Sequence, residues 1–131
     1  MKIKVAEAEG RVLDWLVAKC HGKGIEFDDP KDPWLVVEGV SHQPLHSYTP
    51  STDWAQGGPI IEREKLDVIH FGDDDGVRSG REWSSWTPEP IRVRAEAFGH
   101  GPTPLIAAMR CYVLSMLGEE VDVPDNLLGG V

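Results

Sequence analysis

Apolar residues recur at helical spacing in two segments of the chain, one near each end. In residues 11–20 the apolar positions form a single stripe, and two glycines follow shortly after it. A period near 3.6 residues is typical of a helix with one buried face, and glycine is common just beyond a helix end. The stripe consists of Val12, Leu13, Leu16, Val17 and Cys20. We therefore predict an N-terminal helix.

The second helical segment covers residues 105–117. Thr103 suits an N-cap, Pro104 suits the first helical position and Gly118 suits the end. The face opposite the apolar stripe carries one charge and consists of Ala107, Arg110, Cys111, Leu114 and Ser115. A helix that is apolar on nearly all sides is buried on nearly all sides. One sheet face cannot cover both flanks, so we expect residues 41–59, a second copy of the chain, or both to cover the other.

Short apolar or alternating runs between these helices predict strands at residues 34–38, 66–71, 81–86 and 91–98. The glycines from Gly99 onward are expected to break the last strand. This order predicts an α+β fold, a small antiparallel sheet of three to four strands with the N-terminal and C-terminal helices packed on one face. We expect a single domain over residues 1–131, with a partly flexible tail at 119–131.

Residues 41–59 have no usable hydrophobic period and contain three prolines and two glycines. This composition predicts a long ordered loop, and such loops often carry function. Within it, Asp53 is suited to cap one turn, since its carboxylate can accept from amides two and three residues on. Pro59 suits the first position of a short helix over residues 60–65.

The charge balance narrows the range of partners. The 131 residues include 13 Lys and Arg against 22 Asp and Glu, a net charge of −9. A protein this acidic is poorly suited to neutralise phosphates, so nucleic acid is not expected as a partner, although Trp83 and Trp86 lie near several arginines. Two cysteines and the lack of a signal-like or bilayer-length apolar run favour the cytoplasm and give no indication of a membrane.

Residues 48–64 and 101–113, together with 13–15 and 121–124, resemble the NinX-like small proteins of tailed phages and prophages. Residues 72–90, with their run of aspartates and two tryptophans, depart from that pattern. The resemblance implies a phage origin and the cytoplasm of the bacterial host, and it implies no reaction. It directs attention to residues 48–59 and 101–104 as the functional positions.

Six residues in those stretches form the candidate ligand-binding or partner-binding site: Asp53, Trp54, Gln56, Gly57, Gly58 and Thr103. A functional interpretation gives Asp53 the role of base or anchor and uses the glycine amides to hold an anionic group. A structural interpretation has Asp53 cap a turn, Trp54 fill the core and the glycines form a bend. The sequence favours the structural interpretation and leaves both open.

Other constellations are weaker. His42 and His46 have a metal-like spacing, but Pro44 lies between them and the zinc-protease pattern is absent. The Asp73–Asp75 run fits a solvated turn. The two cysteines fit buried, inert thiols, and no serine lies in a nucleophile elbow. We therefore expect no metal and no cofactor.

The sequence thus predicts a cytoplasmic phage accessory protein of unestablished biochemical role, most simply a non-catalytic protein-interaction module. Its partner would be a host or phage protein, and a homodimer is an open alternative. The competing hypothesis is a small ligand-binding protein or enzyme that uses the Asp53–Pro59 loop with an anionic ligand.

Overall fold

A computed structural model describes residues 1–21, 24–26, 34–37, 41–70, 82–87 and 98–128. The helices are α1 (Gly10–Cys20), α2 (Trp54–Glu64), α3 (Pro104–Leu117) and a closing turn α4 (Asp125–Leu128). The strands are β1 (Lys2–Lys4), β2 (Gly24–Glu26), β3 (Trp34–Val37), β4 (Ser41–Pro44), β5 (Asp67–His70), β6 (Trp83–Trp86), β7 (Phe98–Gly101) and β8 (Glu120–Asp122). The fold is α+β, with a helix near each end, as the sequence predicts.

The described strands form three small antiparallel sheets, where the sequence predicted one. Strands β2, β3 and β4 form one sheet, β5, β6 and β7 form another, and β1 pairs with β8. Most of the predicted strand at 91–98 lies outside the described residues. Strand β7 starts at Phe98 and runs through Gly101, so the predicted break at Gly99 is wrong. Both glycines of β7 face α3, and their lack of a side chain lets the strand approach the helix closely.

Helix α3 is buried on nearly all sides, as its composition predicts. It packs on β5, β6 and β7 on one side, and α1 and α2 contact it elsewhere. Ala107 and Cys111 are fully buried, and Leu114 is partly buried. The buried guanidinium of Arg110 donates from Nε to the Ala8 carbonyl at 2.8 Å and from Nη1 to the His100 carbonyl at 2.7 Å. A single copy of the chain therefore covers both flanks of this helix.

Residues 41–59 differ from the predicted irregular loop. They include β4, a 3-10 turn at Leu45–Ser47 and the first six residues of α2. Pro59 lies inside α2, so its placement at the start of a shorter helix is wrong. Pro59 and Ala55 are both exposed, so the Ala55 carbonyl that lacks a donor at position 59 lies on the solvent side of the helix.

The C-terminal segment is docked as far as the structure describes it. Strand β8 pairs with β1, and the Met1 ammonium donates to Asp122 Oδ1 at 3.0 Å. Val121, Val123 and Leu127 belong to the hydrophobic core. These three apolar side chains explain why the segment packs on the domain instead of fraying.

Candidate functional site

Asp53 caps the N-terminus of α2. Its Oδ1 accepts a hydrogen bond from the Ala55 amide at 3.0 Å, and its Oδ2 accepts one from Gln56 Nε2 at 3.1 Å. The carboxylate thereby satisfies a first-turn amide that has no partner within the helix. Capping by Asp53, which the structural interpretation predicts, is confirmed.

Gln56 ties the start of α2 to the turn that precedes it. Its Oε1 accepts from the Thr49 amide at 3.0 Å, and its Nε2 lies 3.1 Å from the Ser47 carbonyl and 3.3 Å from Thr49 Oγ1. An N-cap acid followed three residues later by glutamine resembles a capping box, although here the glutamine reaches the preceding turn. The amide side chain is thus committed to holding this turn in place.

A buried carboxylate on α1 also holds the turn that precedes α2 in place. Asp14 is 4% exposed, and its Oδ1 accepts from the Ser51 amide at 2.9 Å. Burial raises the pKa of Asp14, against the opposing effect of the hydrogen bonding from Ser51. Asp14 is not among the site residues expected from the sequence, although an acid inside the apolar stripe of α1 is a signal for a buried hydrogen-bond acceptor.

The two glycines of α2 have different surroundings. Gly57 is buried, and a Cβ there would lie 2.7 Å from Leu105 Cδ2 and would also collide with the Pro50 carbonyl. Apart from its chain neighbours and the helix backbone, a Cβ on Gly58 would meet Trp54 Cε3, at 3.8 Å. Gly57 therefore lets α2 approach α3, and Gly58 lies next to the indole of Trp54.

Trp54 is 56% exposed, so the structural interpretation, in which this side chain fills the core, is wrong for Trp54. Helix α2 buries Gly57 and Ile60, and Trp54 lies at the edge of that face. Its indole borders a groove of about 190 Å³ between the N-termini of α2 and α3. We call this the Trp54 groove, and it is lined by Ser51, Thr52, Trp54, Thr103, Pro104, Leu105 and Ile106.

The structure brings two of the six candidate residues together in this groove, Trp54 and Thr103. The Thr103 hydroxyl accepts from the Ile106 amide at 3.1 Å and caps α3. Asp53, Gln56 and Gly57 are not among its lining residues, and they shape the turn and helix beside it. The groove offers an indole face, aliphatic walls and hydroxyl groups, and its lining carries no titratable side chain.

The family described as bacteriophage P22 NinX matches residues 4–116. This chain belongs to that family. The NinX match also spans residues 72–90, which departed from the pattern noted in the sequence. All seven residues of the Trp54 groove come from the two long stretches that carry the NinX resemblance.

A phage protein from Bacillus cereus ATCC 14579, solved as a crystal structure at 2.0 Å, is similar to the chain, with 18% identity and a TM-score of 0.55. The alignment covers 83% of this chain and 89% of the phage protein. At this identity the similarity establishes a shared fold. The comparison with curated proteins gave no match.

The weaker combinations of residues named from the sequence lie only partly within the described residues. In the described part of the chain, no group of three or more His, Cys, Asp or Glu is placed to hold a metal ion. The Asp73–Asp75 run and the side chain of His42 lie outside the described residues. Cys111 is fully buried, and burial raises the pKa of its thiol to about 11, which disfavours the thiolate.

Three further polar contacts have no counterpart among the expectations from the sequence. Ser84 Oγ lies 2.6 Å from His100 Nδ1, and the two residues are direct partners on β6 and β7. Ser84 is buried, so this pair is a cross-strand hydrogen bond rather than an accessible nucleophile. At the other end of α2, Arg63 Nη2 lies 3.3 Å from His21 Nδ1 and donates to Tyr112 Oη at 3.5 Å. Arg63 thereby links α2 to α3 and to the residue that follows α1.

Proposed function

We propose that this NinX-family protein is a non-catalytic protein-interaction module that docks a host or phage protein through the Trp54 groove. The observation that carries the proposal is an exposed tryptophan beside a groove built from both long NinX-like stretches. Tryptophan is among the residues that most often anchor protein interfaces, because it buries a large rigid surface. In a monomer, a half-exposed indole next to an aliphatic groove suits a partner surface.

The surroundings of the groove favour docking because they are already ordered. Gln56 and Asp14 hold the preceding turn through the Thr49 and Ser51 amides, and Asp53 and Thr103 cap the two helices. A surface that is fixed before binding loses little conformational entropy when a partner arrives. The same contacts occupy Asp53 and Gln56, which leaves the alternative of a small-molecule enzyme with less support.

The proposal places the protein in the cytoplasm of the bacterial host, where phage and host proteins meet. In the described part of the chain, no helix has the length and apolarity needed to cross a membrane. A homodimer is a separate expectation, which size-exclusion chromatography with light scattering tests directly.

The groove is tested by affinity capture from phage-infected host lysate with the wild type, Trp54→Ala and Phe98→Ala. Phe98 is a matched control because it is 54% exposed and lies on β7, outside the groove lining. We expect the captured protein to be lost with Trp54→Ala and retained with Phe98→Ala, with circular dichroism showing that both variants fold. Equal capture by all three proteins, identified by mass spectrometry, would contradict the proposal.

A further inference from the structure

We infer that the partner presents a basic segment to the Trp54 groove, with a lysine or arginine cation over the indole of Trp54 and its aliphatic stem in the groove. This inference rests on the proposed function and adds the chemistry of the partner. Three features of the site favour a cationic side chain as the occupant.

The first feature is the indole itself. More than half of Trp54 is exposed, and the adjacent Gly58 has no side chain that could cover the ring. Indole faces attract cations more strongly than the other aromatic rings. The same chain shows the geometry elsewhere, where Lys19 Nζ lies 5.3 Å from the ring centroid of Trp15.

The second feature is the lining of the groove. Pro104, Leu105 and Ile106 supply aliphatic walls of the kind on which long basic side chains lay their methylene stems. Thr52 and Thr103 add hydroxyl oxygens at the lining. The partial positive charge at the start of α3 opposes a cation deep in the groove. This repulsion favours an arrangement in which the aliphatic stem lies in the groove and the cation lies outside it, over the indole of Trp54.

The third feature is charge. Asp53 directly precedes Trp54, and its carboxylate offsets the positive end of α2. The whole chain carries a net charge of −9, which attracts basic surfaces and repels acidic ones. An acidic or phosphorylated occupant would approach against that field.

The test uses three capped peptides, Ac-Gly-Leu-X-Leu-Gly-amide, where X is arginine, citrulline or glutamate. Citrulline matches arginine in shape and lacks its charge. Binding to the full-length, ¹⁵N-labelled protein is followed by the indole N–H signal of Trp54, which Trp54→Phe assigns among the five tryptophans. We expect the arginine peptide to move this signal with an affinity about tenfold higher than the citrulline peptide, and the glutamate peptide to bind more weakly still.

Asp53→Asn and Phe98→Ala serve as the variant pair. Asparagine caps a helix about as well as aspartate, so Asp53→Asn removes the charge and keeps the fold. We expect Asp53→Asn and added salt each to weaken arginine-peptide binding, and Phe98→Ala to leave it unchanged. Equal binding of the arginine and citrulline peptides, or no movement of the Trp54 signal, overturns the inference. If capture from the lysate still depends on Trp54 in that case, the proposal that the groove docks a protein stands, and only the inference of a basic occupant is refuted.

Discussion

Asp14 is a carboxylate placed among core side chains, and its burial has a consequence for stability. Its hydrogen bond from the Ser51 amide holds the turn that forms one side of the Trp54 groove. Burial and, to a lesser extent, the charge of Asp14 also raise the pKa of the neighbouring Tyr48 hydroxyl. Burying a carboxylate costs free energy because it loses hydration. Truncating it also costs free energy, because the Ser51 amide then loses its acceptor.

We predict that Asp14→Ala lowers the free energy of unfolding by about 1–3 kcal/mol, because it leaves the Ser51 amide without this acceptor. Asp14→Asn keeps an acceptor and removes the charge, so it should cost less at neutral pH. Urea unfolding monitored by circular dichroism measures both changes. Equal losses for the two variants would show that the Ser51 contact contributes nothing.

The same pair predicts a pH dependence. The pKa of Asp14 is raised in the folded state, so the folded protein holds this proton more tightly than the unfolded chain. Stability from this group is therefore greatest below the unfolded pKa and falls as the pH rises through the folded pKa. Between the unfolded and the folded pKa of Asp14, the free energy of unfolding of Asp14→Asn relative to the wild type should rise with increasing pH. Above the folded pKa the difference should stay constant.

Helix α3 and strand β7 approach each other more closely than a side chain on the strand would allow. A Cβ on Gly99 would lie 2.9 Å from Cys111 Cα and would collide with the Ala107 carbonyl. Since these contacts are to backbone atoms, they cannot be relieved by a rotamer change. The glycines of β7 thus set the distance between the sheet and the most buried helix.

We predict that Gly99→Ala destabilises the protein by about 1–3 kcal/mol through this overpacking. Phe98→Ala is the control on the same strand, because the Phe98 side chain is exposed. Truncating an exposed side chain should cost less than overpacking against the backbone of α3. Thermal unfolding of both variants compares the two losses, and a loss for Gly99→Ala no larger than that for Phe98→Ala would refute the overpacking.

The elements also show what the sequence can predict. Thr103, Pro104 and Gly118 gave the limits of α3, because capping chemistry is local. The start of α2 was predicted wrongly, since Pro59 suggested a helix start that Asp53 in fact provides.

The Trp54 groove could not be predicted from the sequence for a different reason. Its two sides are about fifty residues apart along the chain, and only tertiary packing brings them together.

At the scale of the whole molecule, the two ends of the described chain are joined. Strand β1 pairs with β8, the Val5 amide donates to the Glu119 carbonyl at 2.9 Å, and the Val123 amide donates to the Met1 carbonyl at 2.9 Å. The closing turn α4 contacts α1 and places Leu127 in the same core as Leu13 and Met109. These long-range contacts make the C-terminal segment part of the core.

We predict that Leu127→Ala lowers the free energy of unfolding by about 2–5 kcal/mol, the range for a fully buried leucine that leaves a cavity. Leu117→Ala is the control, since that side chain is only partly buried and should cost less. If the chain folds as one unit, Leu127→Ala shifts a single urea transition that both circular dichroism and tryptophan fluorescence report. Two separate transitions, or an effect no larger than that of Leu117→Ala, would mean that the C-terminal turn packs on the domain without sharing its stability.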